Sequence, residues 1–142
     1  MTTTILRPYE ADDLEAVKAL WLACDLTRPW NDPDRDIQRK LAVDPHWFIV
    51  GVNNEEIVAS IMIGYEGHRG WVNYLAVKPA LQGSGLGRQL MQRAEQELLQ
   101  VGCPKLNLQV RETNQQVLDF YNAIGYKVDA AVSLGKRLIP DD

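Results

Sequence analysis

The residues best suited to chemistry lie in one loop, Gln82-Gly83-Ser84-Gly85-Leu86-Gly87-Arg88. An apolar run, Leu75-Ala76-Val77, precedes it, and Lys78-Pro79 ends that run because proline cannot continue a ladder. A helical pattern follows it. Glycines let a backbone take positive φ and approach a ligand closely. The first turn of a helix offers unpaired N–H groups and the positive end of a dipole. Strand, glycine turn and helix start together make a site for an anion such as a pyrophosphate.

The spacing selects among glycine loops. A P-loop needs Lys-Ser or Lys-Thr after its last glycine, and Leu86-Gly87-Arg88 stands there instead. A dinucleotide fingerprint needs G-x-G-x-x-G, which Gly83-x-Gly85-x-Gly87 does not supply. A third pattern, Gln/Arg-x-x-Gly-x-Gly/Ala behind a strand and a proline, is met by Gln82 to Gly87 with Pro79. Ser84 lies in Gly-Ser-Gly, not in the G-x-S-x-G elbow of a nucleophilic serine. His46 and His68 are the only histidines, and neither has a partner at metal-ligand spacing, so no metal is expected.

Composition narrows the remaining classes. The chain has 142 residues, the size of a single domain spanning 1–142. Its formal net charge is −4 and it holds no basic run, which argues against a nucleic-acid partner. No apolar run reaches the length of a membrane span. Met1-Thr2-Thr3-Thr4 lacks the features of a signal peptide. Cys24 and Cys103 are isolated and read as small buried residues in a reducing cytoplasm.

The elements that must position the loop can be taken in order. Thr4 to Arg7 is a short strand. Asp12 with Glu15 caps a helix carrying Leu14, Val17, Leu20, Trp21 and Cys24. Asp32 followed by Pro33 starts a second helix, with Ile37 and Leu41 on its apolar edge. The loop before it holds Arg28 and Trp30, the latter a packing anchor, a substrate contact, or both. Trp47–Val52 and Ile57–Tyr65 form an antiparallel hairpin about Asn53-Asn54. A turn at 66–70 leads to the strand Trp71–Val77. After the loop, Leu86, Leu90, Met91, Ala94, Leu98 and Val101 make one helical stripe, stopped by Gly102. Lys105–Arg111 alternates as a strand. Thr113-Asn114 caps a helix bearing Val117, Phe120, Tyr121 and Ile124, and Gly125 ends it. Tyr126–Val132 and Ser133–Ile139 read as two final strands.

Two blocks in this order carry a resemblance. One is Leu75 to Arg88. The other is Leu108-Gln109-Val110, then Asn114, Phe120-Tyr121 and Ile124-Gly125-Tyr126. Both resemble the GNAT N-acetyltransferases. Four further stretches look like the YpeA-like acetyltransferases: Cys24-Asp25-Leu26 with Arg28 to Pro33, Gly64-Tyr65 with Gly67 to Gly70, Gly102 to Lys105 and Ser133 to Ile139. The resemblance implies an α/β fold of the acyl-CoA N-acyltransferase type, a central mixed β-sheet flanked by about four helices. It implies acetyl-CoA as co-substrate. Backbone groups of Leu75, Ala76 and Val77 would pair with the pantetheine arm. Amides of Gly83, Ser84, Gly85, Leu86, Gly87 and Arg88 would hold the pyrophosphate, with Gln82 leading in. Asn114 would contact the coenzyme and Tyr121 would sit beside its sulfur. A homodimer is common in such enzymes.

Moving an acetyl group to an amine requires a neutral amine, an oxyanion donor and a proton for the leaving thiolate. A backbone N–H of Leu75 to Val77 suits the oxyanion, and Tyr121, with a phenol pKa near ~10, suits the thiolate. The base is open. Ribosomal-protein acetyltransferases use a glutamate where this chain has Gln109, which takes no proton. An α-amine of pKa near ~8 could react unaided, water could relay the proton, or Glu66 or His68 could supply a base. The acceptor is a primary amine, with a small amine or amino acid preferred over a protein or peptide N-terminus. A coenzyme-A-binding sensor without turnover is the rival class.

Overall fold

The computed structural model describes residues 3–141. Met1 and Thr2, part of the segment read for a leader, and Asp142 lie outside the described residues. The order is β1 (Ile5–Pro8), α1 (Leu14–Ala23), α2 (Pro33–Val43), β2 (Phe48–Asn53), β3 (Glu56–Tyr65), β4 (Gly70–Val77), α3 (Leu86–Gln100), β5 (Leu106–Leu108) and α4 (Gln115–Ala123). The sheet has five strands in the order β1-β2-β3-β4-β5. The first four pair antiparallel and β5 joins β4 parallel, so the sheet is mixed, as expected.

The β2–β3 turn places Asn54 and Glu55 at positive φ, at the site expected from Asn53-Asn54. Strands β2 and β3 are buried on both faces because helices cover both sides. On one face, Ile49, Ile61 and Ile63 meet Leu86, Leu90, Met91, Ala94 and Leu98 of the α3 stripe. On the other, Phe48, Val50 and Met62 meet Val17, Leu20 and Trp21 of α1 and Ile37 of α2. Asp32 caps α2 by accepting the Asp34 N–H, with Pro33 in the first turn. Gly102 and Gly125, at φ 81° and 100°, follow the ends of α3 and α4.

Three expectations are corrected. The turn before α1 is closed by Asp13 rather than Asp12: its carboxylate accepts the Glu10 N–H at 2.9 Å and a fork of two bonds from Arg7 at 2.7 and 2.9 Å. The strand expected over Lys105–Arg111 is only Leu106–Leu108, because β4 turns away beyond Val72 and leaves Gln109 without a ladder partner. The final strands Tyr126–Val132 and Ser133–Ile139 do not form. Their alternation is real, but no strand among the described residues pairs with them. Val128 and Leu134 stay 89% and 91% exposed, and side chains tether the segment instead: Asp129 to Lys105 and Asn107, and Ser133 to Gln109.

Candidate active site

The site begins with an irregularity in β4. Ser60 pairs with Ala76 but Met62 pairs with Asn73, so β4 carries one extra residue there. Tyr74 takes φ 53°, a left-handed conformation uncommon for a bulky residue. Buried Ser60 supports it by donating to the Tyr74 carbonyl at 2.8 Å. The bulge turns β4 away from β5, whose pairing ends at Val72–Leu108. A cleft of about 520 Å³ opens between them. Asn73, Tyr74 and Leu75 line one wall, Leu108 to Arg111 the other, and Asn114, Val117 and Tyr121 of α4 close one side.

The glycine loop lies past the end of β4. A 3₁₀ turn at Pro79–Leu81 leads into it, and Gln82 Nε2 donates back to the Val77 carbonyl at 3.0 Å. That carbonyl also accepts from Cys24 Sγ at 3.2 Å, so Val77 is already engaged on its acceptor side. Gly83 and Gly85 take φ 83° and 92°, and a Cβ on either would meet nothing within 4 Å. No side chain caps α3, which leaves the amides of its first turn for a ligand. At Gly87 the absent Cβ has a packing purpose, since it would stand 3.1 Å from Phe120 Cζ. That approach brings α4, and with it Tyr121, against the loop.

Tyr121 is 8% exposed, and its hydroxyl makes no hydrogen bond among the described residues. Burial pushes its pKa well above the ordinary phenol value, so it stays protonated. Asn114 lines the cleft and spends its side-chain oxygen on the Val117 N–H, capping α4. Gln109 lines the cleft and donates to Ser133.

Other expected residues are placed elsewhere. Glu66 and His68 sit in the turn before β4, about 15 Å along the strand from the bulge at ~3.3 Å per residue. Glu66 accepts from the His68 and Arg69 N–H groups and from Trp71 Nε1, which lowers its pKa and commits it to the turn. Trp30 is 52% exposed under the Arg111 guanidinium, beside the cleft rather than in it.

The wall that carries Tyr74 contains groups that the sequence did not single out. Asp36 of α2 and Tyr74 both line the cleft, and Tyr74 Oη donates to Asp36 Oδ2 at 2.5 Å. Burial and this bond raise the Tyr74 pKa well above the phenol range. Arg28 and Asn31 complete the wall. Asp36 and Tyr74 are 38 positions apart, and their only sequence signal is Asp36 one turn before Arg39 and Lys40 on a polar helix face. Among the described residues no group of three or more His, Cys, Asp or Glu could hold a metal, and no helix is long and apolar enough to cross a membrane.

Known proteins share both sequence and fold with this chain. The Acetyltransferase (GNAT) family profile matches residues 14–126. An acetyltransferase of Pectobacterium atrosepticum is 49% identical over 96% of each chain. Ard1 from Thermoplasma volcanium superimposes with a TM-score of 0.77 at 21% identity, covering 89% of this chain and 84% of its own. An aminoglycoside N-acetyltransferase solved with coenzyme A gives 0.76 at 15% identity, covering 98% and 97%. The glycine turn beyond a split strand pair, the sheet order and a family match that takes in both make this chain a member of the acetyltransferase (GNAT) family.

Proposed function

We propose that the protein transfers an acetyl group from acetyl-coenzyme A to a primary amine by direct attack. The observation that carries this is the parting of β4 and β5 beyond Val72, which leaves a cleft lined by Leu75 and by Asn114 and Tyr121, while the neighbouring Phe120 of α4 packs against Gly87 of the glycine turn. The residues present fit the coenzyme. An extended pantetheine arm would take the place that β5 gives up, pairing with Leu75 and Ala76, while Val77 keeps its bonds to Gln82 and Cys24. Pyrophosphate oxygens would accept from the amides between Gly83 and Arg88. Asn114 would reach the arm with its free amide nitrogen.

The acceptor enters from the wall formed by Arg28, Asn31, Asp36 and Tyr74. The amine nitrogen attacks the thioester carbonyl. Its oxygen gains charge against a β4 amide, and collapse breaks the carbon–sulfur bond. Tyr121 gives its proton to the departing sulfur, a role matched by its burial and unoccupied hydroxyl. The nitrogen's proton goes to Asp36, directly or through one water. Asp36 thus fills the place that Gln109 cannot, while Glu66 is held by its turn. A small amine or amino acid is the preferred acceptor, and a peptide N-terminus is the alternative.

The test is thermal shift with acetyl-coenzyme A, followed by thiol release across amino acids, polyamines, aminoglycosides and short peptides. Binding with turnover supports the proposal. Binding without thiol release from any amine supports a sensor, the reading that Gln109 favours. No binding overturns the assignment of the loop.

A further inference from the structure

Near its C-terminus the chain places a carboxylate in a built socket beside the acceptor wall. The Asp141 side chain is 1% exposed. Its Oδ1 accepts from Arg39 Nη2 at 2.7 Å, and its Oδ2 accepts from the Asp32 N–H at 2.8 Å and from Arg39 Nη1 at 3.3 Å. Arg137 Nη2 lies 2.9 Å from Oδ2, and Arg35 Nη1 lies 3.8 Å from Oδ1. These partners hold the carboxyl well below the usual carboxylate range. Arg137 also donates to Asn31 at 2.9 Å, so the socket adjoins the cleft wall.

The guest belongs to a segment without helix or strand, whereas the host is a helix and its cap. Arg35, Arg39 and the Asp32 N–H belong to α2 and its cap. The tail from 127 to 140 forms no strand and is exposed throughout, so apolar burial adds little to its docking. Side-chain tethers hold it, and at this end they are the ionic contacts of Arg137 and Asp141 together with the Arg35 bond to the Pro140 carbonyl. A guanidinium fork fits any carboxylate, and one supplied by a ligand would make the same bonds.

Arg39 also joins the socket to the proposed base. Its Nη1 contacts both Asp36 Oδ1, at 3.1 Å, and Asp141 Oδ2. Asp36 and Arg39 therefore stand side by side as an acceptor for an ammonium and a donor for a carboxylate. We infer that the acceptor is a free amino acid, whose carboxylate displaces Asp141 from Arg39, Arg35 and the Asp32 N–H while its amine lies against Asp36. Asp141 is then a tethered competitor for the acceptor site. This inference rests on the acetyl-transfer reading.

The test compares amino acids with their carboxamides, which keep the amine and lose the carboxylate charge. The expected result is at least a tenfold preference in kcat/KM for the acids. Arg39→Gln should remove that preference. Asp141→Asn should lower KM for the acids several-fold and leave the amides as they were. Amides that react as well as acids would overturn the inference while leaving acetyl transfer intact. So would an Asp141→Asn protein that loses only thermal stability and keeps the same acid-to-amide ratio. Should no amine give thiol, calorimetry of the same amino acids against the coenzyme-loaded protein decides the matter. Binding that Arg39→Gln removes and Asp141→Asn strengthens upholds the socket, and no binding to either wild type or Asp141→Asn refutes it.

Discussion

Trp21 Nε1 donates to Ser60 Oγ across 2.9 Å, linking the buried face of α1 to the middle of β3. Ser60 passes the link on to the Tyr74 carbonyl, and the Trp21 ring stacks on Tyr74 at 3.8 Å between centroids. A helix, a strand and a bulge are thus held by one hydroxyl with both its roles used. In Ser60→Ala the Trp21 N–H and the Tyr74 carbonyl would lose a partner inside the core. The expected loss is about 1–3 kcal/mol in urea unfolding, with weaker coenzyme binding as the bulge relaxes. Unchanged stability would mean that the bulge is set elsewhere.

Tyr121→Phe removes a hydroxyl that bonds to nothing in the described protein. Folding stability should hardly move, while turnover should fall by ~10²–10⁴ with coenzyme affinity kept. Chemical denaturation and single-turnover thiol release separate the two. Full activity would leave Tyr121 a packing residue of the core only.

Gly85 sits at φ 92° with open space where a Cβ would point. Gly85→Val should cost about 1–2 kcal/mol for the left-handed backbone and displace the amides proposed to hold the pyrophosphate. Titration calorimetry should then show coenzyme affinity lost by far more than stability. Undiminished affinity would refute the loop assignment.

Asp36→Asn keeps the shape of the residue that receives the Tyr74 hydroxyl and removes its ability to take a proton. The kcat/KM profile is the informative readout. If Asp36 is the base, the variant should lose activity by ~10²–10⁴ near neutral pH and recover as rising pH deprotonates the amine itself. A parallel, pH-independent loss would make Asp36 a binding group only.

The Arg7–Asp13 fork gives a pH signature of folding. Its hydrogen bonds lower the Asp13 pKa, so its contribution is present above the unfolded carboxyl value of ~3.9 and is lost as pH falls. Asp13→Asn should cost about 1.5–3 kcal/mol at neutral pH and flatten the decline of the urea midpoint below pH 4. An unaltered acid limb would remove Asp13 from the account.

The loop and the elements around it were legible because their signals are local. Glycines at 83, 85 and 87, Pro79, and the stripe from Leu86 to Val101 all act within a few turns of chain. Only Val101 of that stripe is exposed. Asp36 with Tyr74, and Arg39 with Asp141, were not legible, since those contacts span 38 and 102 positions. The tail misled for the complementary reason. Alternation in Val128 to Leu138 describes how a strand would face, but it does not supply the neighbour whose ladder would hold it.

The strand order has a consequence for how the chain is made. β1 to β4 pair as neighbours in sequence, while β5 arrives only after the α3 crossover. A nascent chain ending at Val77 already carries Asp36, Arg39 and Tyr74 but lacks the glycine loop, Asn114, Tyr121 and Asp141. The proposed acceptor wall is therefore translated before the proposed coenzyme site. Coenzyme held by β4, the glycine turn and α4 would stabilise only chains long enough to include Asn114 and Tyr121, so its supply would favour their survival over chains truncated earlier.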